Sequence, residues 1–298
     1  MGYYVFNPFT KKMDWTEAGG GGGPSFASIW TSQLSFGSAT GGSMFASTVS
    51  FSSITVSECN LNKNTWNYRN LTIAPNISFA SAKIDINADA MLLTNASGYT
   101  VYSSTVDLTV TISVSGISGL MGSAEASSQW YHIWGISDGV NFTAILDSSD
   151  SSPTLPAGYS FKCYLGAVYN NSSGNFLSFK QTNNVATIAR TLVLNSGSQV
   201  SYTAVDLTTV CPSTAKKWVS NMQAYHGDGP IACFYYSPVS DGSVGEEYAY
   251  INSNGSTVVS FIASVKFTLY VPQTIYYKVE DPSSNYGIAH MYALGWEF

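Results

Sequence analysis

The residues of this chain that could carry acid–base chemistry are few and stand among turn-forming residues. Two pairs of carboxylates lie close in sequence, Glu246 with Glu247 and Asp147 with Asp150. Glycoside cleavage needs two carboxyl groups about 5 to 9 Å apart, one of them with a raised pKa. Neighbouring residues on a strand point to opposite faces, so Glu246 and Glu247 should diverge. We therefore predict solvated charges in turns at both pairs, and a protein that is not an enzyme.

The histidines and cysteines also lack the spacing of a catalytic or metal site. His132, His226 and His290 lie far apart, and no G-x-S-x-G motif is present. His132 falls within an apolar stretch, which predicts a hydrogen-bonded structural residue. No C-x-x-C pair occurs, and we expect small, apolar, reduced residues at all four cysteines: Cys59, Cys163, Cys211 and Cys233. No cofactor and no metal are predicted.

Aromatic residues supply the candidate binding surface. Tyrosines cluster on predicted strands, where about half of them should face the core and half should offer flat rings with few rotamers to a glycan or protein partner. The most site-like phrase is residues 226–230, in which a glycine follows a histidine and a second glycine follows an aspartate. The candidate ligand-binding residues are Tyr225, His226, Asp228, Tyr235, Tyr236 and Tyr248.

Charge is scarce in this chain, while strand- and turn-forming residues are plentiful. Charged residues make up 10% of the 298 residues, against about 25% in an average soluble protein. Hydrophobic residues reach 45% and aromatic residues 14%, which is not the composition of a disordered chain. The net charge of −6 and the 12 scattered basic residues argue against nucleic acid as a partner. No long apolar run and no secretory signal are found, so no membrane insertion is expected.

A short N-terminal arm precedes a run of five glycines. Residues 1–23 hold the arm and the glycine run, and Pro24 follows. Consecutive glycines have high conformational freedom, so the run predicts a flexible joint. The arm carries the candidate residues for docking onto a larger particle: Phe6, Asn7, Pro8, Phe9 and Trp15.

The rest of the chain predicts an all-β fold with antiparallel strands. Residues 106–114 alternate apolar and polar side chains with period two. The apolar residues 130–136 are followed by Asp138-Gly139, which is a strong hairpin signal. Residues 214–223 are the best candidate for one short helical turn. Strands at intervals of about 8 to 12 residues favour sandwiches. We predict two jelly-roll-like β-sandwich domains, at residues 24–182 and 183–298.

Several short phrases carry a resemblance to a known family. They are built of core and turn residues and lie at positions 70–71, 88–93, 119–123, 130–136, 155–159 and 166–170. In them the chain resembles a β-rich module of tail-fibre and other virion proteins of tailed bacteriophages. Residues 6–10 and 294–298 are similar to the beginnings and ends of such chains. His132 and Cys163 depart from the pattern, since they stand where plainer strand residues are expected.

The resemblance implies a structural role in a bacteriophage virion. We expect a tail fibre or receptor-binding adaptor that is assembled in the host cytoplasm, docks through its arm onto other virion proteins and contacts a host-surface glycan or protein. Such proteins are often homotrimers, and several copies would supply avidity. Two alternatives remain: a capsid decoration protein, as a head fibre or cement, and a glycan depolymerase.

Overall fold

The structure, a computed structural model, describes most of the chain after residue 66 and two short stretches before it. The described residues are 3–7, 12–16, 67–122, 124–226, 232–251, 259–280 and 287–298. All regular elements in these ranges are β-strands, and the named strands pair antiparallel. The predicted all-β class is therefore confirmed. Within the same ranges, no helix has the length and apolar character that a membrane crossing would require.

The strands fall into two compact units, Met1–Ile54 and Thr55–Phe298. The described part of the first unit is one antiparallel hairpin, formed by β1 (Tyr3–Asn7) and β2 (Lys12–Thr16). The described strands of the second unit are β3 (Tyr68–Arg69), β4 (Thr72–Pro75), β5 (Lys83–Thr94), β6 (Thr100–Thr111), β7 (Gln129–Ser137), β8 (Phe142–Asp147), β9 (Phe161–Asn170), β10 (Phe179–Thr182), β11 (Val185–Gly197), β12 (Thr203–Asp206), β13 (Lys217–His226), β14 (Ala232–Ser237), β15 (Glu247–Ile251), β16 (Val259–Thr268), β17 (Thr274–Glu280) and β18 (Gly287–Glu297).

Two sheets make up the described part of the second unit. A 12-stranded sheet runs in the order β16-β13-β18-β11-β10-β4-β5-β9-β7-β8, with β3 and β6 paired to β5 outside this path. A 4-stranded sheet runs in the order β12-β17-β14-β15. We call this second sheet the small sheet, and it positions the candidate site.

The first hydrophobic core lies where the large sheet packs against itself. Strand β5 alternates, so that Ile84 and Ile86 are buried while Asn87 and Asp89 are exposed. Together with residues of β4 and β6, these apolar side chains pack against those of β7, β8 and β9. Strand β7 is buried on both faces, since its Trp134 and Ile136 pack on the other side against Met121, Leu155 and Tyr159. A continuous apolar run, rather than strict alternation, is the expected pattern for such a strand.

The second core lies between the small sheet and strands β11, β13, β16 and β18 of the large sheet. Phe234 and Ile275 of the small sheet pack against Trp218 and Trp296 of the large one, and all four are almost fully buried. Period-two alternation on both sheets places one apolar face of each against the other. The small sheet therefore has a second face that points away from this core.

The hairpin predicted at Asp138-Gly139 is confirmed. Strands β7 and β8 pair through the register Ser137↔Phe142 to His132↔Asp147. In the turn, the carboxylate of Asp138 accepts hydrogen bonds from the backbone N–H groups of Val140 and Asn141. An aspartate that binds the backbone two residues ahead is a standard way to close a turn.

The helical turn predicted at residues 214–223 is wrong. The chain makes a turn in which the N–H of Ala215 donates to Pro212 O at 3.1 Å, and strand β13 begins at Lys217. Trp218, Ser220 and Met222 are buried in alternation, which is the period of a strand. Pairing with β16 on one side and β18 on the other supplies the hydrogen bonds that a helix would have made internally.

The predicted division at residues 182/183 falls in the turn between β10 and β11. These two strands pair with each other, so the large sheet continues across the division, and Ile188 packs against both hydrophobic cores. The two cores nevertheless draw most of their residues from opposite sides of it. The division into two domains stays a prediction, and the boundary at residue 23 lies outside the described residues.

Candidate functional site

Tyrosines in the small sheet alternate between the second core and the outer face. In β14, Tyr235 points outward while Tyr236 is 0% exposed; in β17, Tyr276 is partly exposed while Tyr277 is buried. The expectation that about half of these rings face the core is confirmed for these two pairs. The choice of Tyr236 as a ligand-binding residue is wrong, because its ring belongs to the core.

One line of aromatic side chains crosses the outer face of the small sheet. Lys278 of β17 is paired with Tyr235 of β14, which is paired in turn with Tyr248 of β15. Tyr202 stands just before β12, whose first residue, Thr203, is paired with the neighbour of Lys278. Directly opposed residues of an antiparallel pair share a face. We call Tyr202, Lys278, Tyr235 and Tyr248 the tyrosine row.

Two rings of the tyrosine row form an open platform. The ring centroids of Tyr235 and Tyr248 lie 6.3 Å apart, and the ring planes are inclined by 36°. Tyr248 is 69% exposed, although its side chain is large and partly apolar. Such rings present contact area with few rotamers to freeze on binding. The exposed ring of Tyr248 can therefore stack against a ligand.

The charge within the row is balanced by a neighbouring carboxylate. The ammonium of Lys278 lies 4.3 Å from the ring centroid of Tyr235 and 4.9 Å from that of Tyr202, and it contacts Glu280 Oε1 at 2.7 Å. A cation over an aromatic face is worth about 0.5–1 kcal/mol at an exposed site. Lys278 is thus held between two rings and carries no unpaired charge.

The protonation states of Tyr235 and of its neighbour Glu280 are fixed around neutral pH. Partial burial and the neighbouring Cys233 raise the pKa of Tyr235 to about 12. The hydrogen bond from Lys278 lowers the pKa of Glu280, and a hydrogen bond with Tyr235 acts in the same direction. Tyr235 therefore remains a neutral phenol and Glu280 an ionised acceptor, which suits recognition rather than proton transfer.

A glycine holds the first ring of the row in place. A Cβ added to Gly242 would lie 2.6 Å from the ring of Tyr202, and the φ of Gly242 is +73°. Both facts favour glycine, because other residues adopt positive φ at a cost and because the ring occupies the space of a side chain. The loop between β14 and β15 thus packs against the ring of Tyr202 at Gly242.

Two of the remaining candidate ligand residues lie on a strand of the other sheet. Tyr225 and His226 lie at the end of β13, which belongs to the large sheet. Asp228 lies outside the described residues. The predicted site at residues 226–230 therefore stays a prediction, whereas Tyr235 and Tyr248 are brought together.

The arm candidates fall only partly within the described residues. Phe6 and Asn7 lie in β1 and Trp15 in β2, with the register Phe6↔Met13 and Tyr4↔Trp15. Pro8 and Phe9 lie outside the described residues. The role of all five as particle anchors stays a prediction.

A second polar group of interest is buried on strand β7. His132 is 3% exposed, and its Nδ1 lies 3.2 Å from the hydroxyl of Tyr164, which lies 2.6 Å from Thr214 Oγ1. Burial lowers the pKa of His132 to about 4, and the carboxylates of Asp150 and Asp147 oppose this shift. The prediction of a hydrogen-bonded structural histidine is confirmed, and this chain of hydrogen bonds joins β7 and β9 to the turn before β13.

The carboxylate pairs differ from the expectation at one position. Asp147 is 4% exposed, not solvated, and its two oxygens accept hydrogen bonds from the N–H groups of Ser149 and Thr154 at 2.7 and 2.8 Å. A carboxylate can be buried at the end of a strand when loop amides satisfy it. Asp150, Glu246 and Glu247 are exposed, as expected. Among the described residues, no three His, Cys, Asp or Glu side chains are grouped so that they could hold a metal ion.

The sequence reasoning missed Tyr202 and Lys278. The alternation in residues 274–280 already placed Tyr276 and Lys278 on one face, so a signal for Lys278 was present. The position of Tyr202 depends on the pairing of β12 with β17, strands that lie far apart in sequence. Strand register between distant segments cannot be read from either segment alone.

Comparison with solved structures gives distant matches, among them two Bacillus thuringiensis proteins. No protein-family model matches the chain, and no curated protein matches it. The functional form of the mosquito-larvicidal Cry4Aa toxin from Bacillus thuringiensis is similar at 10% identity with a TM-score of 0.23, over 77% of this chain and 52% of that one. A tryptic core variant of Cry1Da from the same organism is similar at 9% identity with a TM-score of 0.21, over 76% and 51%. The chain spans about half the length of these toxin chains, and likeness at such scores carries no argument about function.

Proposed function

We propose that this chain is a non-catalytic structural and binding component of a tailed-bacteriophage virion, as a tail fibre or receptor-binding adaptor. In this proposal residues 1–23 dock onto other virion proteins, and the small sheet contacts the host surface. The protein is assembled in the host cytoplasm and acts as a homotrimer, so that several weak contacts combine.

The tyrosine row is the observation that carries the binding part of the proposal. Tyr248 is exposed and lies beside the half-buried ring of Tyr235, and the ionised groups next to them, Lys278 and Glu280, already contact each other. Aromatic contact area of this kind is enriched in binding surfaces. The surface is therefore suited to holding a partner rather than to breaking a bond.

The resemblance to phage virion proteins supports the structural part of the proposal. Two of the phrases that carry it, residues 130–136 and 166–170, lie in β7 and β9. These strands pair with each other and contribute Ile133 and Val168 to the first core. The similar residues are thus those that build the scaffold and not those of a catalytic cleft.

Immunogold labelling of purified particles tests the proposal. Antibodies against residues 67–298 should label the tail of tailed particles from a culture that makes the chain. Particles made with a chain lacking residues 1–23 should lose the label, because the arm is the proposed anchor. A label confined to the capsid would favour a decoration protein instead.

Enzymatic activity would contradict the proposal. New reducing ends after incubation of the purified full chain with host polysaccharide would identify a depolymerase. Absence of the immunogold label from all of the purified particles would show that the chain is not a virion component.

A further inference from the structure

We propose that the tyrosine row is a binding site for a short, uncharged oligosaccharide. The inference rests on the proposed function, since it names the ligand class of the surface to which that function assigns host contact. The occupant is argued from the size of the face, the arrangement of its rings and its balance of charge.

The size of the outer face favours a small ligand over a protein. The strands of the small sheet have 4 to 7 residues. Four strands about 4.8 Å apart, with about 3.3 Å per residue, give a face of roughly 300 Å². A stable protein–protein interface needs about 800 Å² on each partner. The face alone is therefore too small for a stable protein partner, while a ligand of two or three sugar rings fits within it.

The rings of the row match the apolar faces of sugar rings. Tyr235 and Tyr248 stand on adjacent strands at a centroid distance of 6.3 Å and an inclination of 36°; the ring of Tyr248 is exposed, and the ammonium of Lys278 lies over the ring of Tyr235. A pyranose has one face of C–H groups that can pack on an aromatic ring, and its hydroxyl groups point away from the ring edge. Two inclined rings side by side suit two consecutive sugar units, and Glu280, which already accepts from Tyr235, can also accept from a sugar hydroxyl.

The polar groups beside the rings favour an uncharged ligand. Lys278 donates to Glu280 at 2.7 Å and lies against the rings of Tyr202 and Tyr235. The row thus offers an ammonium donor and a carboxylate acceptor whose charges cancel. Sugar hydroxyls both donate and accept hydrogen bonds, so they can use both groups. An acidic sugar would have to compete with Glu280 for the same ammonium and would also meet its negative charge.

A glycan array probed with the labelled full-length chain tests the assignment. The array carries uncharged oligosaccharides (maltotriose, cellotriose, chitotriose and mannotriose) beside acidic ones (sialyl-lactose and a heparin tetrasaccharide). The wild-type protein should bind at least one uncharged glycan and no acidic glycan. Tyr248→Ala should weaken this binding at least about tenfold, since it removes half of the platform. Tyr248→Phe, which keeps the ring, should weaken it by less than about threefold.

Tyr102→Ala is the matched control. Tyr102 is a tyrosine of similar exposure, 58%, on β6 of the large sheet, and its removal should leave glycan binding unchanged. A urea midpoint equal to that of the wild type would show that Tyr248→Ala is folded. If Tyr248→Ala is not folded, glycan binding by Tyr248→Phe is compared with that of the wild type instead.

Three results would overturn the assignment. They are binding of acidic glycans only, no binding of any glycan on the array, and equal loss of binding in Tyr248→Ala and Tyr102→Ala. Each of these leaves the proposed function standing if the chain is found in particles. Absence from particles would refute the proposed function even if an uncharged glycan binds to the row.

Discussion

Mild acid should destabilise this protein through His132. The histidine is 3% exposed and is held as a neutral imidazole, since burial lowers its pKa to about 4. In the unfolded chain its pKa returns to about 6.5. Because the folded value lies below the unfolded one, the stability that neutral His132 contributes is complete above pH 6.5. It is lost as the pH falls towards 4, where only the unfolded state binds the proton.

The expected loss is large enough to measure. A difference of about 2.5 pKa units at about 1.36 kcal/mol each corresponds to about 3 kcal/mol between pH 6.5 and pH 4. Glu280 and Glu297, whose pKa values are lowered by hydrogen bonds from Lys278 and Lys266, also lose their stabilisation in acid. Their loss begins only near pH 4.5, so the window above that value reports on His132.

Urea unfolding followed by tryptophan fluorescence provides the assay. At fixed protein concentration, the free energy of unfolding of the wild type should fall steadily from pH 7 to pH 4.5. The variant His132→Gln keeps a side chain long enough to reach the hydroxyl of Tyr164, and its free energy of unfolding should change less with pH over this window. In the control variant His290→Gln, the free energy of unfolding should fall with pH as steeply as in the wild type, because His132 is still present. Equal slopes in wild type and His132→Gln would refute the reasoning.

Three further substitutions probe the described structure, each read out as the urea free energy of unfolding. Asp147→Ala should cost about 1–3 kcal/mol because it removes the buried carboxylate that accepts from the N–H groups of Ser149 and Thr154, whereas Asp150→Ala should change little. Tyr236→Ala should cost about 3–5 kcal/mol by opening a cavity in the second core, whereas Tyr248→Ala should cost less than about 1 kcal/mol; equal costs would contradict the alternation of β14 and β15. Gly242→Ala should cost at least about 1 kcal/mol, because its φ is positive and the added Cβ meets a tyrosine ring; an unchanged free energy would contradict that packing.

The sequence was sufficient for features that depend on local pattern. The all-β class follows from period-two alternation and turn residues, and the Asp138-Gly139 hairpin needs only one turn and its flanking strands. The inward and outward tyrosines of β14 follow from the same alternation. In each case the information lies within about ten consecutive residues.

Features that depend on distant partners were missed. Residues 217–223 form a strand because β16 and β18 pair on both sides, and neither partner is near in sequence. Asp147 is buried because the amides of the loop that follows fold back onto it. Lys278 enters the tyrosine row only through its register with Tyr235. Pairing with distant strands decides the first and the third of these cases, whereas Asp147 depends on the fold of the loop that follows it.

Sedimentation of tailed particles tests most directly whether the chain acts by assembly. Particles from a culture that makes the chain are banded in a density gradient, and the chain in each fraction is quantified by mass spectrometry against the major capsid protein. The account predicts that the chain bands with intact particles at a copy number that is a multiple of three. Recovery of the chain only in the soluble fraction at the top of the gradient would contradict it.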